Sequence, residues 1–387
     1  MTGKELLCMK QENLKKVFER RSDAYVPTFG GASYATLAYK GLTAVEAMKD
    51  EEKYVEGMTA IFADMWVDVV TQIGGWWFSP VLPEVFDPIQ HKFSTDGVTP
   101  ENIQHVLMKD DEYDELIRDP DHLVEEILLP RKYPRLFEDR EWAKKVLKIF
   151  AEDRTRTGRL NRLLMEKLET DYGIVSMLDP SETYLNPFDI LFDNFRGFKG
   201  TLLDLRRRSD KVAAAVETLW KTRCLEKQNT PVNGTNLVGF QVPHIPTYLS
   251  PKQFEEIYWP YERTALMRLA NAGCKLYIML EGSWKRWLHL FLELPKDCCV
   301  LWVDDDDLFE VYRTLGHWQI ICGGINATTL RMSTMDKIKD QVKNIIDTCA
   351  PDGGFLFTTV KTWISPGDVN QNLIDTLNFV HEYGSRK

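Results

Sequence analysis

The residues with most chemistry to offer stand directly after short apolar runs in the C-terminal half of the chain. His244 follows NLVGFQV, Glu281 follows LYIML, Asp304 to Asp307 follow VLWV, Cys322 follows WQII, and Lys361 with Thr362 follows FLFTTV. Imidazole, carboxylate and thiolate are the three donor types that zinc accepts in catalytic sites with an open fourth position. His244, Glu281 and Cys322 are therefore the candidate metal ligands, the ion serving as a Lewis acid on a substrate atom. Glu281 and Asp304 are the candidate catalytic carboxylates, Asp304 as a proton donor. Each has a plainer alternative. Cys322 reads equally as a small buried hydrophobe, Glu281 as an acid at a helix start, and His244 as a turn residue between Pro243 and Pro246.

Four consecutive carboxylates cannot all face one ion, because side chains alternate in direction along a strand. One or two of residues 304–307 are expected at the site, with the others capping the helix LFEVYRTLG. Trp76, Trp77 and Trp284 are candidate walls of a substrate pocket, and Lys361 is a candidate substrate-binding cation. Burial in a large core is the competing role for each of the eleven tryptophans.

These residues need a scaffold that brings strand ends together. Continuous apolar runs are the pattern of buried parallel strands, and the helical intervals between them imply repeated βα units. A (β/α)8 barrel gathers its functional groups at the C-terminal strand ends. A doubly wound open sheet would show the same alternation, but the Gly-rich phosphate loop that announces it is absent. Residues 333–348 carry a helical stripe of Met335, Ile338, Val342, Ile345 and Ile346, with Ser333 as the expected cap. Asp368 is the expected cap of a last helix with the stripe Val369, Leu373, Ile374, Leu377 and Val380, and Gly384 its expected end. Upstream, 1–20 reads as an amphipathic helix, 24–32 as a strand entering a glycine loop, 66–130 as irregular, and 135–170 as a charged helix. The expected organisation is one barrel domain over 1–387, with 1–20 and about 100–170 as helical additions.

A 387-residue chain with 44% hydrophobic and 27% charged residues has the composition of a soluble globular protein. Its net charge of −10 argues against nucleic acid and against a polybasic membrane anchor. No apolar run approaches the ~20 residues of a bilayer span. Seven irregularly spaced cysteines, and an N-terminus without a signal-peptide core, lead to the expectation of a cytoplasmic location.

The stretches Ile321-Cys-Gly-Gly-Ile-Asn-Ala, Gly353-Gly-Phe-Leu-Phe, Ile364-Ser-Pro, Asn370-Gln-Asn-Leu-Ile and His381-Glu-Tyr-Gly resemble the uroporphyrinogen decarboxylase superfamily. Weaker matches are Ala24-Tyr-Val-Pro, Tyr39-Lys-Gly-Leu-Thr, Asn194-Phe-Arg-Gly with Asp204, and Leu249-Ser-Pro-Lys-Gln-Phe with Trp259-Pro-Tyr. The resemblance implies a (β/α)8 barrel with extra N-terminal helices. Decarboxylases of that group carry an Arg-Gln-Ala-Gly-Arg motif where this chain has Thr28-Phe-Gly-Gly-Ala, so a substrate with many carboxylates is not expected. The other branch consists of zinc methyltransferases working with a corrinoid. Its coenzyme M members use a His-x-Cys pair and a later Cys, where this chain has Met279, Glu281 and approximately Thr362. The resemblance thus implies a donor-side methyltransferase of the O-demethylase type. Such an enzyme would take methyl from a small substrate, an aryl methyl ether by preference, and pass it to a corrinoid on a partner protein. Zinc would then sit on His244, Glu281 and Cys322, and homodimerisation is open. The alternatives are a metal-free decarboxylase or lyase using Lys361 or Arg196 to hold a carboxylate, and a non-catalytic paralogue that binds a corrinoid protein.

Overall fold

The computed structural model describes residues 1–73, 79, 91–103, 106–176, 184–230, 232 and 237–385. The strands are β1 (Phe29–Ala32), β2 (Val69–Ile73), β3 (His91–Phe93), β4 (Pro100–Asn102) and β5 (Val175–Ser176). They continue with β6 (Leu237–Gln241), β7 (Lys275–Leu280), β8 (Cys299–Val303), β9 (Ile320–Ile325) and β10 (Phe355–Thr359). Parallel pairing runs β5-β2-β1 in one sheet and β10-β9-β8-β7-β6 in the other, and a parallel bridge from Thr28 to Phe357 joins them. With β3 and β4 forming a separate antiparallel hairpin, eight parallel strands in chain order make a (β/α)8 barrel. Between β5 and β6 no pairing occurs among the described residues.

The two-residue period of each strand sorts its side chains. Tyr277, Met279, Val300, Trp302, Ile320, Cys322, Leu356, Phe29 and Val69 share the barrel interior. The alternate residues, such as Ile278, Leu301, Ile321, Phe355 and Phe357, pack outward into the larger core beneath the helices. Helix Gly3–Phe18 lies across the barrel's lower end, with Leu14 and Val17 joining the interior cluster. Lys10 of this helix donates to the carbonyls of Val67 (2.7 Å) and Tyr172 (3.2 Å), which precede β2 and β5. The floor of the barrel is thereby closed, and the C-terminal strand ends form its mouth.

Helix Met335–Cys349 buries Ile338, Val342, Ile345 and Ile346 as the stripe predicts, but it begins after Thr334, and no side chain caps it. The last helix, Gln371–Gly384, is capped by Asn370 and not by Asp368, and it runs through Gly384 to end at Ser385. Asp368 instead accepts from the Ile364 and Ser365 amides and pairs with Arg331, fixing the loop after β10. The expected charged helix is a 33-residue rod, Arg140–Tyr172, capped by Asp139 and ended by Gly173 in the left-handed region. Among the described residues no helix is long and apolar enough to cross a membrane.

Candidate functional site at the barrel mouth

β7 and β8 pair Leu280 with Val303, so the residues that follow them stand at the same level. Met279 and Trp302 point inward, and two residues further on the same faces come Glu281 and Asp304. The Asp304 side chain is completely enclosed. Its Oδ2 accepts from the Gly282 amide at 2.9 Å and lies 3.6 Å from Lys361 Nζ, while its Oδ1 has no partner. Burial lifts the Asp304 carboxyl above the ordinary aspartate range. Asp305 and Glu281 push the same way, against the Gly282 amide and Lys361. Lys361 is half-exposed and shared with Asp305 at 3.9 Å. Asp306 takes the Ser283 hydroxyl (2.6 Å) and the Trp284 amide (2.5 Å), and Asp307 caps helix Leu308–Leu315. The acidic run thus divides its labour as strand alternation requires, with one buried acid at the mouth.

His244 follows β6 on the other side of the mouth. Its Nδ1 faces the Val242 carbonyl at 3.1 Å and its Nε2 faces Asp193 Oδ1 at 3.1 Å. With a carbonyl and a carboxylate oxygen as neighbours, a proton on either ring nitrogen finds an acceptor, which favours the charged ring. Burial opposes that charge, but the Asp193 hydrogen bond, Asp193 and Asp189 outweigh it and raise the pKa to about 9. Asp189 and Asp193 are four residues apart in helical residues 187–196 and so share a face. Behind them lies a polar core. Tyr258 donates to Asp189 Oδ2 (3.1 Å) and Asn186 to Glu262 (3.0 Å), while Asp189 Oδ1 has no partner. Burial drives the Asp189 carboxyl well up, with Glu262 and Asp193 adding to it, and lifts Glu262 to about 7. The Asp-x-x-x-Asp spacing of Asp189 and Asp193 is the sequence signal of this partner set.

The expected zinc triad does not assemble. Among the described residues no three His, Cys, Asp or Glu side chains are grouped so as to hold a metal ion. His244 has no free lone pair while it donates from both nitrogens. Cys322 lies mid-strand, level with Trp302 and Leu356 inside the barrel, wholly buried, and burial holds its thiol well above the ordinary range. The positions of β9 that face the mouth are Gly324 and then Asn326, which caps the next helix. The residues present therefore do not fit zinc on His244, Glu281 and Cys322.

Trp284 is not a mouth residue either. It is 1% exposed, packed on Phe254 and Phe291 in the outer core. Trp76 and Trp77 lie outside the described residues. Arg196, the alternative carboxylate-binder, is held by Asp204 (2.6 Å) and the Met108 carbonyl, a structural pairing. Lys361 and Thr362 do line a crevice with Thr359, Trp363, Asp368 and Asn370.

A (β/α)8 barrel whose polar residues crowd the C-terminal strand ends has the architecture in which such barrels carry active sites. The model of the Uroporphyrinogen decarboxylase (URO-D) family matches residues 187–383, just over half the chain, and the protein belongs to this family. A methyltransferase from Methanosarcina mazei shares the fold across 99% of both chains, with a TM-score of 0.57 and 14% identity. No curated protein matches the chain.

Proposed function

We propose that this protein is a cytoplasmic methyltransferase of the URO-D family. It takes the methyl group of a small donor, preferentially an aryl methyl ether, and delivers it to the reduced cobalt of a corrinoid on a partner protein. The observation that carries this reading is the enclosed Asp304 carboxyl, its proton affinity raised by burial, set beside Lys361. When the donor's methyl–oxygen bond breaks, the bonding pair stays on oxygen, and the new carbon–cobalt bond uses the electron pair of Co(I). The departing oxygen then needs a proton, which Asp304 supplies. The carboxylate left behind is stabilised by the Gly282 amide and the Lys361 ammonium. Half-buried Glu281 next to it returns the proton from solvent.

The charge of the mouth favours this reading over a decarboxylase. Among the described residues, Glu281, Asp304, Asp305 and Asp193 stand against one shared lysine and one paired histidine, a poor setting for a polycarboxylate. No step depends on zinc. The test supplies chemically reduced cobalamin, free and protein-bound, with methylated phenols, amines and thioethers, and follows the Co(I) spectrum turning into that of methyl-Co(III). Conversion with release of a phenol is expected, and Asp304→Asn, which keeps the Gly282 contact, should lower kcat about 100-fold or more. Absence of conversion with every donor overturns the proposal.

A further inference from the structure

Two adjacent cysteines stand at the floor of the barrel, where β8 begins. Side chains that follow one another along a strand diverge. Cys298, however, lies just before β8, after a turn in which Asp297 takes a left-handed backbone (φ 57°). Both thiols therefore pack to the same side, into the outer core, with their sulfurs 3.5 Å apart. Cys299 is fully buried, while Cys298 keeps 5% of its surface exposed. The Cys299 thiol donates to the Cys298 sulfur and holds the Cys298 thiol below the ordinary range, burial opposing and Lys275 assisting. Burial holds the Cys299 thiol well above that range. A sulfur that leans to thiolate beside a protonated one is the arrangement of an attacking and a resolving cysteine.

The peptide that joins the two is pinned on both sides. The Cys298 carbonyl accepts from the Leu276 amide of β7 (2.7 Å), and the Cys299 amide donates to Gln319 Oε1 (2.9 Å). Gln319 Nε2 in turn donates to the carbonyls of Phe291 (3.0 Å) and Pro295 (3.1 Å). Arg20 reaches both sides of this peptide, through Asp297 Oδ1 (2.6 Å) and the Gln319 carbonyl (2.7 Å). Consecutive Cα atoms are about 3.8 Å apart, short of the ~4.4–6.8 Å usual across a disulfide. A bond between these sulfurs would therefore twist the peptide and be readily reduced. The twist pulls on the starts of β7 and β8 and on the seat of Arg20.

We infer that Cys298 and Cys299 form a redox-active dithiol, oxidised by peroxide to a reversible vicinal disulfide that loosens the barrel floor. The Cys298 sulfur attacks one peroxide oxygen; the O–O bond breaks, hydroxide leaves and a sulfenic acid remains. The Cys299 sulfur then displaces that oxygen as the S–S bond forms, and its proton departs with the oxygen as water. The device is independent of the proposed methyl transfer. The test treats the intact chain with hydrogen peroxide well below its melting temperature, in a Cys8→Ser background that removes the exposed thiol. Alkylation under denaturing conditions and tryptic mapping then read peptide 297–313, which carries both cysteines and no other. That peptide is expected to lose two hydrogens and both alkylation sites, and to recover them with dithiothreitol. The oxidised protein should melt lower than the reduced one, and the same reductant should restore it. Cys299→Ala should halt the reaction at a Cys298 sulfenic acid that dimedone traps, and Cys298→Ala should leave the peptide unoxidised. Thermal melts confirm that each variant folds. Retention of both thiols in wild-type peptide 297–313 overturns the dithiol, as does a link from either cysteine to Cys274. Coincident melts of oxidised and reduced protein overturn the loosening of the floor.

Discussion

His244 illustrates how a residue's partners decide what it can do. From the sequence, imidazole, carboxylate and thiolate at three strand ends were a reasonable zinc set. In the fold, one nitrogen meets a backbone carbonyl and the other a carboxylate, so the charged ring is favoured and both nitrogens are engaged. An NMR titration should find the His244 ring changing charge near pH 9, the value its surroundings impose. Asp193→Asn removes the chief stabilising partner and leaves burial in control, so the titration should fall by more than one pH unit. The linkage has a definite sign. The folded value exceeds the unfolded one near 6.5, so the pair's contribution is complete below about 6.5 and disappears as pH climbs through 9. In the same experiments zinc should remain well below one equivalent, and equimolar zinc lost from His244→Ala or Cys322→Ala would return the triad to consideration.

At the scale of elements, alternation along strands made the barrel legible. The runs ending in LYIML, VLWV and FLFTTV are β7, β8 and β10 almost to the residue. The error at Cys322 was one of boundary. The apolar run WQII stops at Ile321, yet β9 continues through Cys322, Gly323 and Gly324 to Ile325. Those glycines are in the strand because neighbours press on it. A Cβ on Gly323 would meet Leu308, and one on Gly324 would collide with the Thr358 carbonyl. Trp284 was misplaced because the segment after β7 folds under, forming only a short turn of helix at Leu288–Glu293. No periodicity announced the joint between the segments leading into β1 and β2, where Asp68 is wholly buried. Its carboxylate accepts from Tyr25 (2.6 Å), the Thr28 amide (2.8 Å), the Thr28 hydroxyl (3.0 Å) and Trp66 Nε1 (3.0 Å). Asp68→Ala strands these donors and should cost about 3 kcal/mol or more. Urea unfolding monitored by circular dichroism measures it, and a loss under about 1 kcal/mol would show that the joint is held otherwise.

For the whole molecule, the two ends of the barrel receive opposite treatment. Among the described residues the mouth gathers carboxylates with two engaged cations, while the floor is stopped by helix Gly3–Phe18. Amphipathicity revealed that helix in the sequence, but not its seat, because what Leu14 and Val17 cover comes from strands up to more than 300 residues away. Arg20 completes the closure. It bonds Asp297 Oδ1 (2.6 Å) and the carbonyls of Gly316 (2.6 Å) and Gln319 (2.7 Å), tying the helix end to the approaches of β8 and β9. Lys10 adds a buried ammonium on two carbonyls, its pKa drawn down to about 8 by burial against the pull of Asp68. Leu14 and Val17 are each worth roughly 1.5–3 kcal/mol of burial, and without them Val69, Val300, Ile320 and Leu356 lose their apolar cover. Deleting residues 1–18 should therefore lower the melting temperature by at least about 10 °C and create a site for an apolar dye such as anilinonaphthalene sulfonate. A truncated chain that melts with the full-length protein and binds no dye would show that the floor is sealed by the strands' own side chains.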